Sequence, residues 1–173
     1  MNLIITCARH LEPETVEEIS GILEELGDAE SKISITKMSG IITVETKLDP
    51  IDVVKKIREM VLDEPWSLRY SLRIIPIQRK VETKIERIEE TIEEIVGDIG
   101  EDETYRISIE KRDSDISSQD LISKIASKLK NKVSLEFPDK IILLEILGNI
   151  CGISILKKSD ILSTEKIKRS ISE

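Results

Sequence analysis

The chain has 173 residues, enough for one medium domain or two small ones, with 34 acidic against 26 basic side chains and a net charge of −8. Its only aromatic residues are Trp66, Tyr70, Tyr105 and Phe137, too few for a nucleic-acid-binding face of stacked rings. No apolar run reaches the ~18 residues of a membrane span, and two distant cysteines, Cys7 and Cys151, make neither a disulfide framework nor a zinc motif. A soluble, reduced, cytoplasmic protein is expected, with no membrane partner, metal or cofactor.

In chain order, "LIITC" (3–7) reads as a short buried strand. "EPETVEEISGILEELG" follows as a helix: Pro13 suits the first turn, glutamates suit its positive end, and Val16, Ile19, Leu23 and Leu26 recur at helical spacing before Gly27. "KISITKMSGIITVET" is a pair of β-rich runs around Ser39-Gly40, a hairpin signal. "DPIDVVKKIREMV" restarts a helix with Asp49 as cap and Pro50 at its first position. The order β-α-β-β-α would become a ferredoxin-like βαββαβ unit if "SLRYSLRIIPI" supplied one more strand.

A second unit follows. "VETKIERIEETIEEIVGDIG" lines up Ile85, Ile88, Ile92, Ile95 and Val96 on one helical stripe, and ten acids between residues 82 and 103 read as its solvated face. "TYRISIEKR" alternates as a strand. Ser117 caps the helix "SSQDLISKIASKLK", with Asp120 three residues on. "VSLEFPD" leads into a second hairpin, "KIILLEIL" and "ICGISIL", turning at Gly148-Asn149, and "TEKIKRSISE" is a short helix or a frayed tail. The expected division is 1–65, 66–163 and a tail at 164–173, with the boundary at the "EPW" composition shift.

Catalysis has no visible home. His10 is the lone histidine and reads as a loop residue; Cys7 and Cys151 sit in apolar runs as small core residues; no phosphate-cradling glycine loop or metal-helix motif occurs. Charge is graded instead. Residues 1–65 hold 7 basic and 14 acidic side chains, whereas residues 104–169 hold 13 basic and 9 acidic. The basic side chains that could meet phosphates are therefore in the second half, where Lys124, Lys128, Lys130 and Lys132 run along and past one helix.

The run "RISIEKRDSDISSQDLISKIASKLKNKVSLEFPDKIILLEILGNICGIS" resembles the body of a THUMP domain: a strand ending in basic residues, a serine-capped helix, a Leu-x-x-Pro-Asp segment and a strand containing Leu144-Glu145-Ile146. "RIIPIQR" resembles the opening strand of one subgroup, stand-alone proteins that act with the tRNA cytidine acetyltransferase. The fold so implied is α+β, an N-terminal ferredoxin-like βαββα(β) domain followed by a THUMP domain over roughly 66–163. The implied function is that of a non-catalytic adaptor presenting tRNA to a separate enzyme that forms N4-acetylcytidine. The alternatives are a tRNA-binding subunit for another modification enzyme and a ferredoxin-like small-molecule regulatory module. Arg73, Arg79, Lys80, Lys111, Arg112, Lys132 and Lys157 are the expected phosphate contacts. Of these, Arg73, Arg79 and Arg112 lie within the resembling motifs, and the rest follow from charge and position.

Overall fold

In a computed structural model, which describes residues 1–172, the chain forms two compact units, Met1–Ile77 with Ser159–Glu173, and Gln78–Lys158. The first contains β1 (Leu3–Thr6), α1 (Glu12–Glu25), β2 (Lys32–Ile35), β3 (Ile41–Glu45), α2 (Pro50–Asp63) and β4 (Arg73–Pro76). Its sheet order is β2-β3-β1-β4, all antiparallel, which is the ferredoxin-like arrangement. Ile5, Leu23, Ile42, Val54, Ile57 and Ile74 are buried in one core, each worth about 1.5–3 kcal/mol of transfer free energy.

Local chemistry explains the elements. The Asp49 carboxylate accepts the Asp52 N–H at 2.9 Å and Pro50 opens α2. Gly40 stands at φ +77°, and a Cβ there would lie 2.6 Å from the Cys7 carbonyl oxygen, so the turn before β3 requires glycine. The Asp28 carboxylate accepts Thr46 Oγ1 at 2.5 Å and the Lys47 N–H at 3.0 Å, and these bonds, the threonine's first, hold its carboxyl below the ordinary range.

The division differs from the expected one at both ends. "RIIPIQRK" is two strands: β4 pairs with β1 in the first sheet, while β5 (Arg79–Glu82) belongs to the second. Pro76 is the last residue of β4, as a residue unable to donate to a ladder must be at an edge, bulge or end. The terminal residues are no loose tail. β9 (Leu162–Ser163) pairs with β4, and α5 (Thr164–Ser172) is tied to the same unit by Lys168 Nζ to the Leu68 carbonyl at 2.8 Å and Thr164 Oγ1 to the Ser71 carbonyl at 2.7 Å. These partners are far apart along the chain, so no local composition shift marks them.

Glu18 on α1 fixes the segment leading into β4. Its carboxylate accepts the backbone N–H groups of Arg69, Tyr70 and Ser71 and the Ser71 hydroxyl, at 2.5–3.2 Å. Hydrogen bonds to a charged acceptor contribute ~1.5–3 kcal/mol each at most, so Glu18→Ala should cost about 2 kcal/mol in urea unfolding. Its exposed neighbour, Glu17→Ala, should change stability by less than about 0.5 kcal/mol.

The second unit comprises β5, α3 (Ile85–Ile95), β6 (Tyr105–Arg112), α4 (Ser118–Ala126), β7 (Lys140–Leu147) and β8 (Ile150–Leu156). The strands lie in the order β5-β8-β7-β6; β6 and β7 are parallel and the other pairs antiparallel. Ile88, Ile92 and Ile95 of α3 pack with Leu121 and Ile125 of α4 over Ile142, Leu144, Ile146 and Ile153. Ser117 Oγ accepts the Asp120 N–H at 3.2 Å and so caps α4.

Candidate nucleic-acid interface

Strand register decides where the seven basic residues stand. Arg73 opens β4, half-buried in the first unit, opposite Thr6 and Ser163. In the second sheet, matched rows run Arg79–Ile153–Leu144–Ile109, Lys80–Gly152–Glu145–Glu110 and Val81–Cys151–Ile146–Lys111. Side chains alternate between faces, so Arg79 and Lys111 project on the α3/α4 face and Lys80 and Arg112 on the other. Arg79 and Lys80 lie on one edge strand and Lys111 and Arg112 on the opposite one, three strand spacings or roughly 14 Å apart. Lys132 accompanies the start of β6, its carbonyl accepting the Tyr105 N–H at 3.1 Å, and Lys157 follows the end of β8. Both positions are at the end of the sheet away from Lys111. The sheet therefore disperses the set.

Arg112 and Lys111 are already committed. Arg112 Nη1 lies 3.0 Å from Glu145 Oε2, and the Glu145 side chain is fully buried. Lys111 Nζ donates to the Ile116 carbonyl at 2.9 Å, closing the loop between β6 and α4. Lys124 and Lys128 face the acidic helix: Lys128 bridges Glu89 (2.9 Å) and Glu93, and Lys124 reaches Glu89 at 3.8 Å. The hydrogen bond from Lys128 holds the Glu89 carboxyl below its ordinary range, and those to Glu93 and Glu89 hold the Lys128 ammonium above its own. The acidic face of α3 is thus partly an internal counter-charge for α4.

What the fold does bring together is Lys80, Lys84 and Arg87. With Val81, Glu82, Thr83, Asn149 and Ile150 they line an open concavity of about 470 Å³ where β5 enters α3. Lys84 is the residue before α3 and its side chain makes no cap hydrogen bond, so the basin lies at the positive end of the helix dipole. Lys84 pairs with Glu82 at 3.0 Å and Arg87 with Glu90 at 3.4 Å, all four groups well exposed. Such pairs contribute ~0–1 kcal/mol and exchange readily for a phosphate. Sequence reasoning missed Lys84 and Arg87 because they are the two cations of a segment dominated by acids; their place at the start of the helix was the available signal.

Cys7 and Cys151 are both buried, and desolvation raises both thiols, that of Cys151 to about 12 with a further push from Glu145. Native protein should show no reaction of Cys151 with an aromatic disulfide reagent at neutral pH, whereas denatured protein should titrate both thiols. His10 sits exposed in the β1–α1 loop at φ +72°.

Residues 82–156 match the family model of the THUMP domain. The chain is 27% identical over 160 residues, 90% of its length, to an uncharacterized protein of Methanocaldococcus jannaschii, of which it spans 41%. A crystal structure from Pyrococcus horikoshii aligns with TM-score 0.61 and 15% identity over 91% of this chain and 55% of that one. TrmN from Thermus thermophilus aligns with TM-score 0.59 and 11% identity over 90% of this chain and 45% of that one. A 4-thiouridine synthetase crystallised with RNA and ATP aligns with TM-score 0.50 and 11% identity over 91% of this chain and 42% of that one. The chain spans roughly half the length of these relatives or less, and identities this low show a shared fold. The match to the THUMP domain model falls within the second compact unit of the chain, Gln78–Lys158.

Proposed function

We propose that this chain binds tRNA without catalysing its modification, acting in the cytoplasm as an adaptor that presents tRNA to a separate cytidine acetyltransferase. The THUMP match over residues 82–156 carries this reading. The concavity at the start of α3 supports it, because its three cations and the positive end of the helix dipole suit a phosphate backbone. A 4-thiouridine synthetase caught with RNA, which shares the fold, supports the ligand class. The net charge of −8 implies weak intrinsic affinity, strengthened when the enzyme supplies further contacts.

Filter binding of tRNA across a salt series tests the binding step. Retention should fall steeply as salt rises and increase when the acetyltransferase is added. A salt-independent signal, or none with the enzyme present, contradicts the proposal. N4-acetylcytidine in total tRNA should disappear when the gene is deleted, and unchanged levels would point to another modification enzyme as the partner.

A further inference from the structure

The outer edge of β6 is an unfinished β-ladder. Tyr105 uses that edge: its N–H donates to the Lys132 carbonyl and its carbonyl accepts the Ser134 N–H at 3.0 Å, making one parallel bridge opposite Val133. The chain then turns away, with Ser134 Oγ accepting the Phe137 N–H at 3.2 Å, and goes on to form β7. The period of two along β6 directs the N–H and C=O groups of Ile107, Ile109 and Lys111 to the same outer side. None of the three has a main-chain hydrogen bond there among the described residues. Beside this edge stand three apolar side chains that the fold leaves in water: Val133 at 57%, Leu135 at 73% and Phe137 at 79% exposure. Lys130 and Lys132 precede these residues in the chain and exposed Glu136 lies between Leu135 and Phe137; Arg106 Nη1 holds the turn through the Leu135 carbonyl at 3.0 Å.

We infer that this edge receives an extended, acidic segment of a partner protein, which adds a strand to the sheet beside Ile107–Lys111. The chemistry favours a peptide over RNA. Each open residue presents one donor and one acceptor, a pattern that a peptide backbone matches and that a phosphate backbone, offering acceptors alone, leaves half unpaired. Apolar side chains of the incoming strand would lie against Ile107, Ile109, Leu135 and Phe137. Its carboxylates would meet Lys130 and Lys132. A second copy of this chain fits less well. Antiparallel self-pairing centred on Ile109 would set Arg106 opposite Arg112 and bring no carboxylate to those lysines. The inference goes beyond tRNA binding and does not depend on it, because it concerns a different edge from the Lys80–Arg87 basin.

The test uses the full chain and a fluorescent heptapeptide of alternating valine and glutamate. Binding should protect the amides of Ile107, Ile109 and Lys111 from hydrogen exchange. The same peptide N-methylated throughout, which cannot form ladder bonds, should bind at least about tenfold more weakly. Leu135→Asp with Phe137→Asp, both on exposed positions that the core does not use, should weaken the unmodified peptide by a similar factor. Equal affinity for the two peptides, or unchanged exchange at the three amides, would overturn the inference. So would the same protection from a uridine heptanucleotide, or protection in the free protein that grows with its concentration and thus reports self-pairing. Loss of tRNA binding with edge protection intact would sink the adaptor reading and leave this one standing.

Discussion

Arg112→Ala should lower the free energy of unfolding by about 3–5 kcal/mol, measured by urea denaturation at neutral pH, while Lys111→Ala beside it should change it by less than about 0.5 kcal/mol. The difference rests on what each cation faces. Glu145 lies in the middle of β7, a strand flanked by β6 and β8, with no side-chain exposure, and the Arg112 guanidinium stands 3.0 Å from it. Their residues are two rows apart on one face, so the pair forms only if the β6–β7 register is correct. Removing the arginine leaves a carboxylate whose burial was offset by that charge. Removing the lysine ammonium loses one hydrogen bond to the Ile116 carbonyl at the surface. A double substitution, Arg112→Leu with Glu145→Leu, should recover most of the loss, because it replaces the buried carboxylate and its cation together with apolar side chains. Equal stability of the Arg112→Ala variant and the wild type would mean that the buried carboxylate is held by its other surroundings.

This pair also shows how far the sequence could be read. "KIILLEIL" places one acid in a run of apolar residues, and a buried strand with a single carboxylate demands a cation. That demand was legible, but which cation answers it depends on a parallel register between segments separated by a helix. Without that register, Arg112 counts simply as a basic residue at a strand end. The turn at Gly40, the caps at Asp49 and Ser117 and the stripe of α3 were legible because each depends on neighbours within a few residues. The unit boundary was not. It is set by β4 pairing with β1 on one side and β9 on the other, at opposite ends of the chain. The same non-local pairing scattered Arg79, Lys80, Lys111 and Lys132 over two faces and both ends of one sheet.

Charge reversal in the basin at the start of α3 has the largest expected effect on function. Lys80→Glu, Lys84→Glu and Arg87→Glu together should reduce tRNA binding by more than about tenfold at moderate salt. They should also flatten the slope of log affinity against log salt by up to ~0.9 for each phosphate contact removed, about three in all. The triple variant should fold normally. All three side chains are exposed, and the pairs they give up, Lys84 with Glu82 and Arg87 with Glu90, are surface pairs of ~0–1 kcal/mol. Arg73→Glu in the first unit and Lys111→Glu on the far edge of the second sheet serve as controls of the same charge change, and binding should survive both. The comparison separates two physical pictures. If affinity came from a diffuse positive field, any reversal would weaken it alike and the slope would shift little with position. If it comes from cations gathered at a helix start, only the basin variant changes the count of displaced counterions. A basin variant whose slope matches wild type would place the tRNA elsewhere on the chain.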